Sequence, residues 1–428
     1  MPSIFLFSLL AGLCLSPTSN ASPATARDND HLPQPIVPSK DPWYTAPHGY
    51  EEASPGSILR IRPAPGNLTA VIGSNCSAAY NILYRTTNSY LQPAFAVTTV
   101  FIPNMNIAKI NYTTPLLSYQ IPYSTADLDA SPSYTLSAGG YPDIPVALGQ
   151  GWIVNVPDFE GPLASLSLSI TEGLAVVDSI RSVLSYQPFH LSPKTTRTAL
   201  WGYSGGSIAT TFALEFQPTY APELTLHGAA LGGLLTSFIS ANPALDGTGF
   251  AGNLPAIYLG LTSQSSSARQ FLLSSLHPNN ASEFLAAENM SYYQDLTYYQ
   301  NQNISSYFIN LTAFLLHPEI HQLTKNNWEI GWHGIPQVPL FVYKAIHDEL
   351  VYVQYTDAMV DRWCEVGLDV RYERNTVGGH LAEYYNGVDR SRQFLTWVLQ
   401  GTTEGEVVPY ASGCSIANVT YGSDTSPI

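Results

Sequence analysis

The chain has 428 residues and a formal net charge of −15 at pH 7, with only 17 lysines and arginines. This acidic balance excludes nucleic acids and anionic membrane surfaces as expected partners, because both repel negative charge. Hydrophobic residues make up 45% of the chain and charged residues only 11%, so a globular protein with a large buried core is expected.

The first 21 residues have the features of a secretory signal peptide. An apolar run at 4–15 is too short to cross a membrane, and Ser19 and Ala21 are small residues at the positions that a signal peptidase reads. Residues 22–40 contain proline and aspartate without periodicity, which predicts a loose N-terminal arm. No later stretch has 18 uninterrupted apolar residues, so a secreted, extracellular protein without an integral membrane anchor is predicted.

N-glycosylation signals support this prediction independently. The chain contains eight N-x-S/T sequons, at Asn67, Asn75, Asn111, Asn280, Asn289, Asn303, Asn310 and Asn418. Four of them fall between residues 280 and 310, which indicates a glycan-bearing surface in that part of the chain.

Three cysteines remain after the signal peptide. In an oxidising compartment two of them are expected to form a disulfide, and the third would stay unpaired. We favour a disulfide between Cys364 and Cys414, which would tie the end of the globular core to the C-terminal tail. Cys76 would then be free, although the sequence alone leaves the other two pairings open.

Strand-like and helical segments alternate from residue 41 onward. Runs rich in β-formers occur at 94–102, 115–120, 151–157, 198–201, 338–346 and 368–373, and helical spacing at 172–183 and 207–216. This alternation predicts a mostly parallel sheet with helices on both faces, an α/β fold.

The stretch 237–334 breaks this rhythm. It contains short amphipathic pieces at 267–276, 281–288 and 306–316, which predict a helical insertion that covers the functional site as a lid. The core would then consist of residues 41–236 and 335–428.

The pentapeptide Gly202-Tyr203-Ser204-Gly205-Gly206 fits the pattern G-x-S-x-G. In α/β-hydrolases this pattern forms a sharp turn between a strand and a helix, which exposes a nucleophilic serine. A strand-like run precedes the pattern and a helical run follows it, so Ser204 is the predicted nucleophile.

A serine nucleophile needs a histidine to take its proton and a carboxylate to orient that histidine. Asp348 follows the predicted strand 338–346, and His380 follows the strand 368–373 on a loop that begins with two glycines. Serine, acid and histidine then occur in the order usual for α/β-hydrolases. We therefore predict a catalytic triad of Ser204, Asp348 and His380.

Several nearby residues offer alternatives. Glu349 adjoins Asp348 but is expected to point the other way, and His347 with Asp348 could be a solvated turn. His333 is the best alternative histidine, but it precedes the acid and breaks the order.

Two further patterns indicate structure rather than chemistry. His317 and His321 have the spacing of a metal pair but flank a proline and have no third ligand, so no metal is predicted. Asp158 and Glu160 could be mistaken for an acid pair, but a turn with structural carboxylates after a strand is the better interpretation. No nucleotide-binding glycine pattern is found, so no cofactor is expected.

An oxyanion hole is also required for ester hydrolysis. The backbone N–H of Gly205, the residue after the nucleophile, is the first predicted donor. The second donor is expected from the loop at 121–126, after the strand 115–120.

With these residues in place, the chain resembles the fungal secreted lipase family typified by Candida antarctica lipase A. The resemblance covers most of the mature chain and is strongest at 85–87, 97–100, 118–120, 202–206, 220–224, 348–351 and 380–381. It implies an α/β-hydrolase fold with a helical lid, the same triad, and action on acylglycerols and other carboxylic esters without a cofactor. The family has an acidic residue where this chain has Ser124, which the resemblance makes the second oxyanion donor.

The sequence therefore predicts a secreted lipase-like serine ester hydrolase that forms an acyl-enzyme. Its expected partner is a lipid or small-molecule ester, met in solution or at a lipid–water interface. A narrow esterase that deacylates one small secreted metabolite is the main alternative. A peptidase, or a lipid-binding protein on the same fold without activity, fits less well.

Overall fold

The computed structural model describes residues 33–106, 114–236, 244–401 and 412–424. The predicted signal peptide, the first part of the N-terminal arm and the sequon at Asn111 lie outside these residues.

A single sheet of ten strands organises the described chain, in the order β1-β2-β3-β5-β4-β6-β7-β8-β9-β10. The strands are β1 Ile58–Pro63, β2 Cys76–Thr87, β3 Pro93–Pro103, β4 Leu116–Gln120, β5 Ile153–Pro157, β6 Thr198–Tyr203, β7 Gly228–Gly232, β8 Leu340–Ala345, β9 Val370–Asn375 and β10 Cys414–Val419. The pairs β1–β2, β2–β3 and β3–β5 are antiparallel, and all the remaining neighbouring pairs are parallel. The predicted α/β fold with a mostly parallel sheet is confirmed.

Helices cover both faces of the sheet. They are α1 Leu68–Ile72, α2 Pro132–Thr135, α3 Asp143–Gly149, α4 Ser169–Ser185, α5 Gly205–Tyr220, α6 Asn253–Thr262, α7 Ser266–Ser275, α8 Ala281–Phe284, α9 Tyr292–Tyr298, α10 Leu311–Leu315, α11 Pro318–Asn327, α12 Val353–Glu365, α13 His380–Asn386 and α14 Val388–Gln400. Short 3-10 turns lie at Pro38–Lys40, Pro42–Tyr44, Tyr50–Glu52, Leu128–Ala130, Leu136–Ala138, Gly161–Leu163, Gln187–Phe189, Leu285–Asn289 and Ile304–Tyr307.

The core has two parts, one on each face of the sheet. The larger part contains α4 and α5, which cross so closely that a Cβ on Gly173 would overlap the backbone of Phe212. The smaller part includes Trp201 and Tyr343, whose side chains are hydrogen-bonded to each other at 3.1 Å. The central strands are therefore buried on both faces, as a parallel sheet requires.

The predicted insertion is helical where the structure describes it. From residue 244 to 334 the regular elements are α6–α11, two 3-10 turns and an isolated bridge between Leu276 and Phe308. Of its predicted pieces, 267–276 corresponds to α7, whereas 281–288 and 306–316 are each divided into an α-helical and a 3-10 turn. Its assignment as a separate lid stays a prediction.

A disulfide joins Cys364 on α12 to Cys414 at the start of β10, and Cys76 is buried and free. Five of the predicted glycosylation sites carry an exposed asparagine: Asn67, Asn289, Asn303, Asn310 and Asn418. Asn75 and Asn280 are partly buried, and the side-chain amide of Asn75 donates to Pro145 O at 2.9 Å. Glycan attachment at each of these asparagines stays a prediction.

Candidate active site

Ser204 lies on a tight turn between β6 and α5. Its φ of 50° and ψ of −122° are unfavourable for a residue with a Cβ, so the turn is strained. A Cβ on Gly202 would overlap Gly206 O, and a Cβ on Gly206 would overlap Gln120 O at the end of β4. The glycines of the pentapeptide are thus required by the close approach of three chain segments.

The structure brings Ser204, His380 and Asp348 together. His380 Nε2 lies 2.9 Å from Ser204 Oγ, and His380 Nδ1 lies 2.8 Å from Asp348 Oδ2. The carboxylate accepts a hydrogen bond from Nδ1–H, which leaves Nε2 free to accept the serine hydroxyl proton. The three residues follow β6, β8 and β9, parallel strands whose carboxyl ends meet at one edge of the sheet.

The carboxylate of Asp348 is buried and held from several directions. Oδ1 accepts from the backbone N–H groups of Leu350 and Val351 at 3.0 and 2.9 Å. Oδ2 accepts from the ammonium group of Lys344 at 2.7 Å as well as from His380. Burial alone raises the pKa of Asp348, but the electrostatic effects and hydrogen bonds of His380 and Lys344 outweigh it and bring the pKa well below its usual range.

Lys344 is not among the site residues that are predicted from the sequence. The signal that could have revealed it is a lysine within an otherwise apolar and aromatic strand, since a charged residue in a buried strand needs a partner.

The alternative residues around Asp348 are not part of this hydrogen-bond chain. Glu349 turns back toward the histidine loop, but its Oε2 accepts from the backbone N–H of His380 at 2.7 Å rather than from the ring. His347 is exposed. His333 packs against Phe212 and Phe216 on α5.

The other candidate pairs have structural contacts. His317 precedes α11 and stacks on Phe271 with the ring centroids 3.8 Å apart, and His321 is exposed. Among the described residues, no group of three or more His, Cys, Asp or Glu side chains is placed to hold a metal ion. Asp158 accepts from the backbone N–H of Ser133 at 2.8 Å and from its hydroxyl at 2.5 Å.

The two residues predicted to form the oxyanion hole lie next to each other. The N–H of Gly205 is at the first position of α5, where a helix has no internal acceptor for it. Ser124 follows β4 with a positive φ of 29°, and a Cβ on Gly205 would lie 2.5 Å from Ser124 Oγ. The hydroxyl of Ser124 therefore stands over the N-terminus of α5, where negative charge is stabilised.

A cavity of about 350 Å³ opens at the predicted triad and is lined by Ser124, Ser204 and His380. Most of its other large side chains are tyrosines: Tyr123, Tyr141, Tyr203, Tyr292, Tyr293, Tyr384 and Tyr385. Leu381 is the one large aliphatic residue among the described residues that line it. Residues 291–293 of the predicted insertion supply one wall of the cavity. A 2.7 Å hydrogen bond from Thr125 Oγ1 to Met290 O connects this wall to the loop that carries Ser124.

Comparison with known proteins identifies the class to which this fold and site belong. The chain is 44% identical over 408 residues to a trichothecene C-3 esterase of Fusarium sporotrichioides, covering 92% of this chain and 90% of that one. It is 32% identical over 388 residues to lipase A of Arthroderma benhamiae, covering 86% and 81%. A crystal structure of Candida antarctica lipase A in its closed state is similar with a TM-score of 0.79 and 28% identity, over 89% of this chain and 90% of that one.

The protein is thus a carboxylic ester hydrolase with an α/β-hydrolase fold. More particularly, a family model described as "Secretory lipase" matches residues 142–406, and the chain belongs to the secretory lipase family. Both lipases and esterases occur among its relatives. None of the helices in the described part of the chain is long and apolar enough to cross a membrane.

Proposed function

We propose that the protein is a secreted serine esterase that acts through Ser204, His380 and Asp348. The observation that supports this most directly is the continuous hydrogen-bond chain from the Ser204 hydroxyl through the imidazole to the carboxylate, with distances of 2.9 and 2.8 Å. An extracellular location is supported by the signal-like N-terminus, the exposed sequons and the description of the family.

In the first half of the reaction, Ser204 Oγ attacks the carbonyl carbon of the ester while His380 Nε2 takes the hydroxyl proton. The carbonyl oxygen becomes an oxyanion, which accepts hydrogen bonds from the N–H groups of Gly205 and Ser124. His380 then gives its proton to the departing alcohol oxygen, and the acyl group stays on Ser204.

In the second half, a water molecule loses a proton to His380 and attacks the acyl carbonyl. The bond to Ser204 Oγ breaks, the serine regains its proton from His380, and the acid leaves. Asp348 keeps its negative charge throughout and stabilises the imidazolium that forms in each half.

The pocket favours a compact substrate over a long acyl chain. Its volume of about 350 Å³ is at the lower end of the usual range for small-molecule sites. Tyrosines offer flat apolar faces together with hydroxyl groups, which suits a ring-bearing, oxygen-rich alcohol better than a flexible hydrocarbon. The 44% identity to a trichothecene C-3 esterase points the same way, so we propose an ester of the trichothecene type as the substrate class. Acylglycerol hydrolysis, as in the lipase relatives, is the second candidate.

The test compares wild type and Ser204→Ala on p-nitrophenyl esters from acetyl to palmitoyl and on a trichothecene esterified at C-3. We expect wild type to hydrolyse the short esters and the trichothecene ester, with activity falling as the acyl chain lengthens. Ser204→Ala should lose about 10⁴-fold or more in kcat, because the nucleophile is absent. Ser207→Ala is the matched control, since Ser207 Oγ donates to Ser204 O and not to the histidine.

Two results would contradict parts of this proposal. Unchanged hydrolysis by Ser204→Ala would contradict the proposed mechanism, in which Ser204 is the nucleophile. Hydrolysis that is fastest on palmitoyl esters would support the lipase instead of the compact-ester esterase.

A further inference from the structure

A buried lysine contacts the carboxylate of the proposed triad. Lys344 lies on β8, and its side chain is fully buried. The other lysines that the structure describes are all exposed: Lys40, Lys194 and Lys325. A lysine is almost never fully buried unless a partner compensates its charge, so Lys344 requires an explanation.

The ammonium group of Lys344 is held by two acceptors. It donates to Asp348 Oδ2 at 2.7 Å and to Leu234 O at 3.3 Å. The same Leu234 carbonyl accepts from Thr356 Oγ1 at 2.9 Å, which fixes its position. Asp348 Oδ2, which faces Lys344, is also the oxygen that His380 Nδ1 contacts. The lysine therefore shares the carboxylate oxygen that orients the imidazole.

The charge of Lys344 affects the hydrogen bond between Asp348 and His380. If His380 were protonated, its imidazolium would face a carboxylate whose negative charge is already balanced by the Lys344 ammonium group. It is therefore stabilised less than it would be by an unpaired carboxylate. A neutral histidine is the form that can take the proton of Ser204.

We infer that Lys344 is a positioning residue of the triad: it keeps Asp348 ionised and oriented, and its charge extends ester hydrolysis into acidic solution. This inference rests on the proposed serine mechanism and adds to it a determinant of the pH range.

Other ionisable groups around the triad do not replace this effect. Among the described residues they include Tyr203, Glu349, Tyr372, Glu383 and Tyr384. Burial raises the pKa of each of these tyrosines well above its usual value, so all three stay neutral. Glu383 is paired with Arg390 at 2.7 Å, and Glu349 is exposed. Since these groups are unchanged when Lys344 is replaced, the comparison isolates the lysine.

The experiment measures kcat/KM for p-nitrophenyl acetate between pH 4 and pH 9 in wild type, Lys344→Met and Lys325→Met. We expect the midpoint of the acidic limb to rise by about one pH unit or more in Lys344→Met, because a positive charge near the imidazole is removed. Lys325→Met removes an exposed lysine and should keep the wild-type midpoint. A folded Lys344→Met protein with an unshifted midpoint would overturn the inference.

Lys344→Arg and Lys344→Gln provide a second test that does not depend on the folding of the methionine variant. Arginine keeps the charge and should keep the midpoint, whereas glutamine should raise it. Equal midpoints in these two variants would overturn the inference. Ser204→Ala separates the two proposals: if it is inactive while the midpoint is unshifted in the lysine variants, only the inference fails.

Discussion

Ser124 occupies a backbone conformation that serine rarely adopts, with a φ of 29°. Strained residues of this kind persist where the surrounding structure holds them, and they cluster at functional sites. The side chain of Ser124 stands over the first residue of α5, within contact of where a Cβ of Gly205 would lie. Its hydroxyl can therefore add a third donor to the two backbone N–H groups proposed for the oxyanion.

Replacement of Ser124 by alanine tests this role. The variant keeps the backbone N–H but loses the hydroxyl, so we expect kcat to fall by about 100-fold with little change in KM, since the oxyanion forms only in the transition state. Steady-state kinetics on p-nitrophenyl acetate check this expectation. Ser137→Ala is the control, because Ser137 Oγ donates to Tyr134 O in the same segment of the chain but does not line the cavity. A Ser124→Ala variant with wild-type kcat would show that the Ser124 hydroxyl does not stabilise the oxyanion and that only the backbone N–H groups do.

At the scale of elements, β10 is the edge strand with the weakest support from packing. It pairs with β9 in parallel from Cys414 to Val419, but nearly all of its residues are exposed. Little apolar surface is buried there, so the disulfide from Cys364 on α12 is the strongest connection of this strand to the core. The disulfide closes a loop of 50 residues, and most of its stabilising effect comes from restricting the unfolded chain.

Removal of both cysteines by Cys364→Ala and Cys414→Ala should lower the free energy of unfolding by about 4 kcal/mol, as expected for a loop of this length. Because neither cysteine lines the cavity, kcat at 25 °C should be unchanged. Thermal unfolding followed by circular dichroism gives the comparison, with Cys76→Ala as a control that removes only a free thiol. Equal melting temperatures in the double variant and wild type would show that β10 is held without the disulfide.

At the scale of the whole molecule, several carboxyl groups are buried without a basic partner. Burial raises the pKa of Asp158 to about 7 and that of Glu172 to about 8. Burial raises the pKa of Glu160 well above its usual value, and the negative charge of Glu172 adds to the effect. Asp295 has a pKa raised to about 8 by burial, with a smaller contribution from Asp127. The folded protein thus holds protons that the unfolded chain releases near pH 4.

This difference determines how stability depends on pH. Between about pH 4 and pH 8 the folded state binds more protons than the unfolded state, so stability falls as the pH rises. Asp348 acts in the opposite direction, because its lowered pKa contributes stability that is lost only when the pH falls below its unfolded value. The protein should therefore be most stable in mildly acidic solution.

We expect the melting temperature to be higher at pH 5 than at pH 8 by roughly 5 °C, and Asp158→Asn to reduce that difference. Asparagine resembles the protonated acid and can still accept from the backbone N–H of Ser133. Calorimetry at both pH values provides the measurement, and Asp361→Asn, at an exposed position, is the control. A melting temperature that rises from pH 5 to pH 8 would show that these carboxyl groups are ionised in the folded state.

The features that depend on local chain geometry can be predicted from the amino-acid sequence. The glycines around Ser204 predict the tight turn, because only residues without a side chain allow β4, β6 and α5 to lie so close to one another. The strand–helix alternation predicts a mostly parallel sheet, because the helices that connect parallel strands cover both faces of the sheet. Asp348 follows β8 and His380 follows β9, and these two strands are parallel neighbours. Both residues therefore lie at the same edge of the sheet, where the carboxyl ends of the strands are.

The contacts between distant segments could not be predicted in this way, because they depend on how those segments pack in the folded protein. The direction of Glu349 depends on where the histidine loop lies, so it could not be derived from its neighbour Asp348. The tyrosines of the cavity come from separate loops and helices that have no common sequence pattern. The pairing of Lys344 with Asp348 spans only four residues, yet it forms because the buried strand β8 leaves the ammonium group no water to contact.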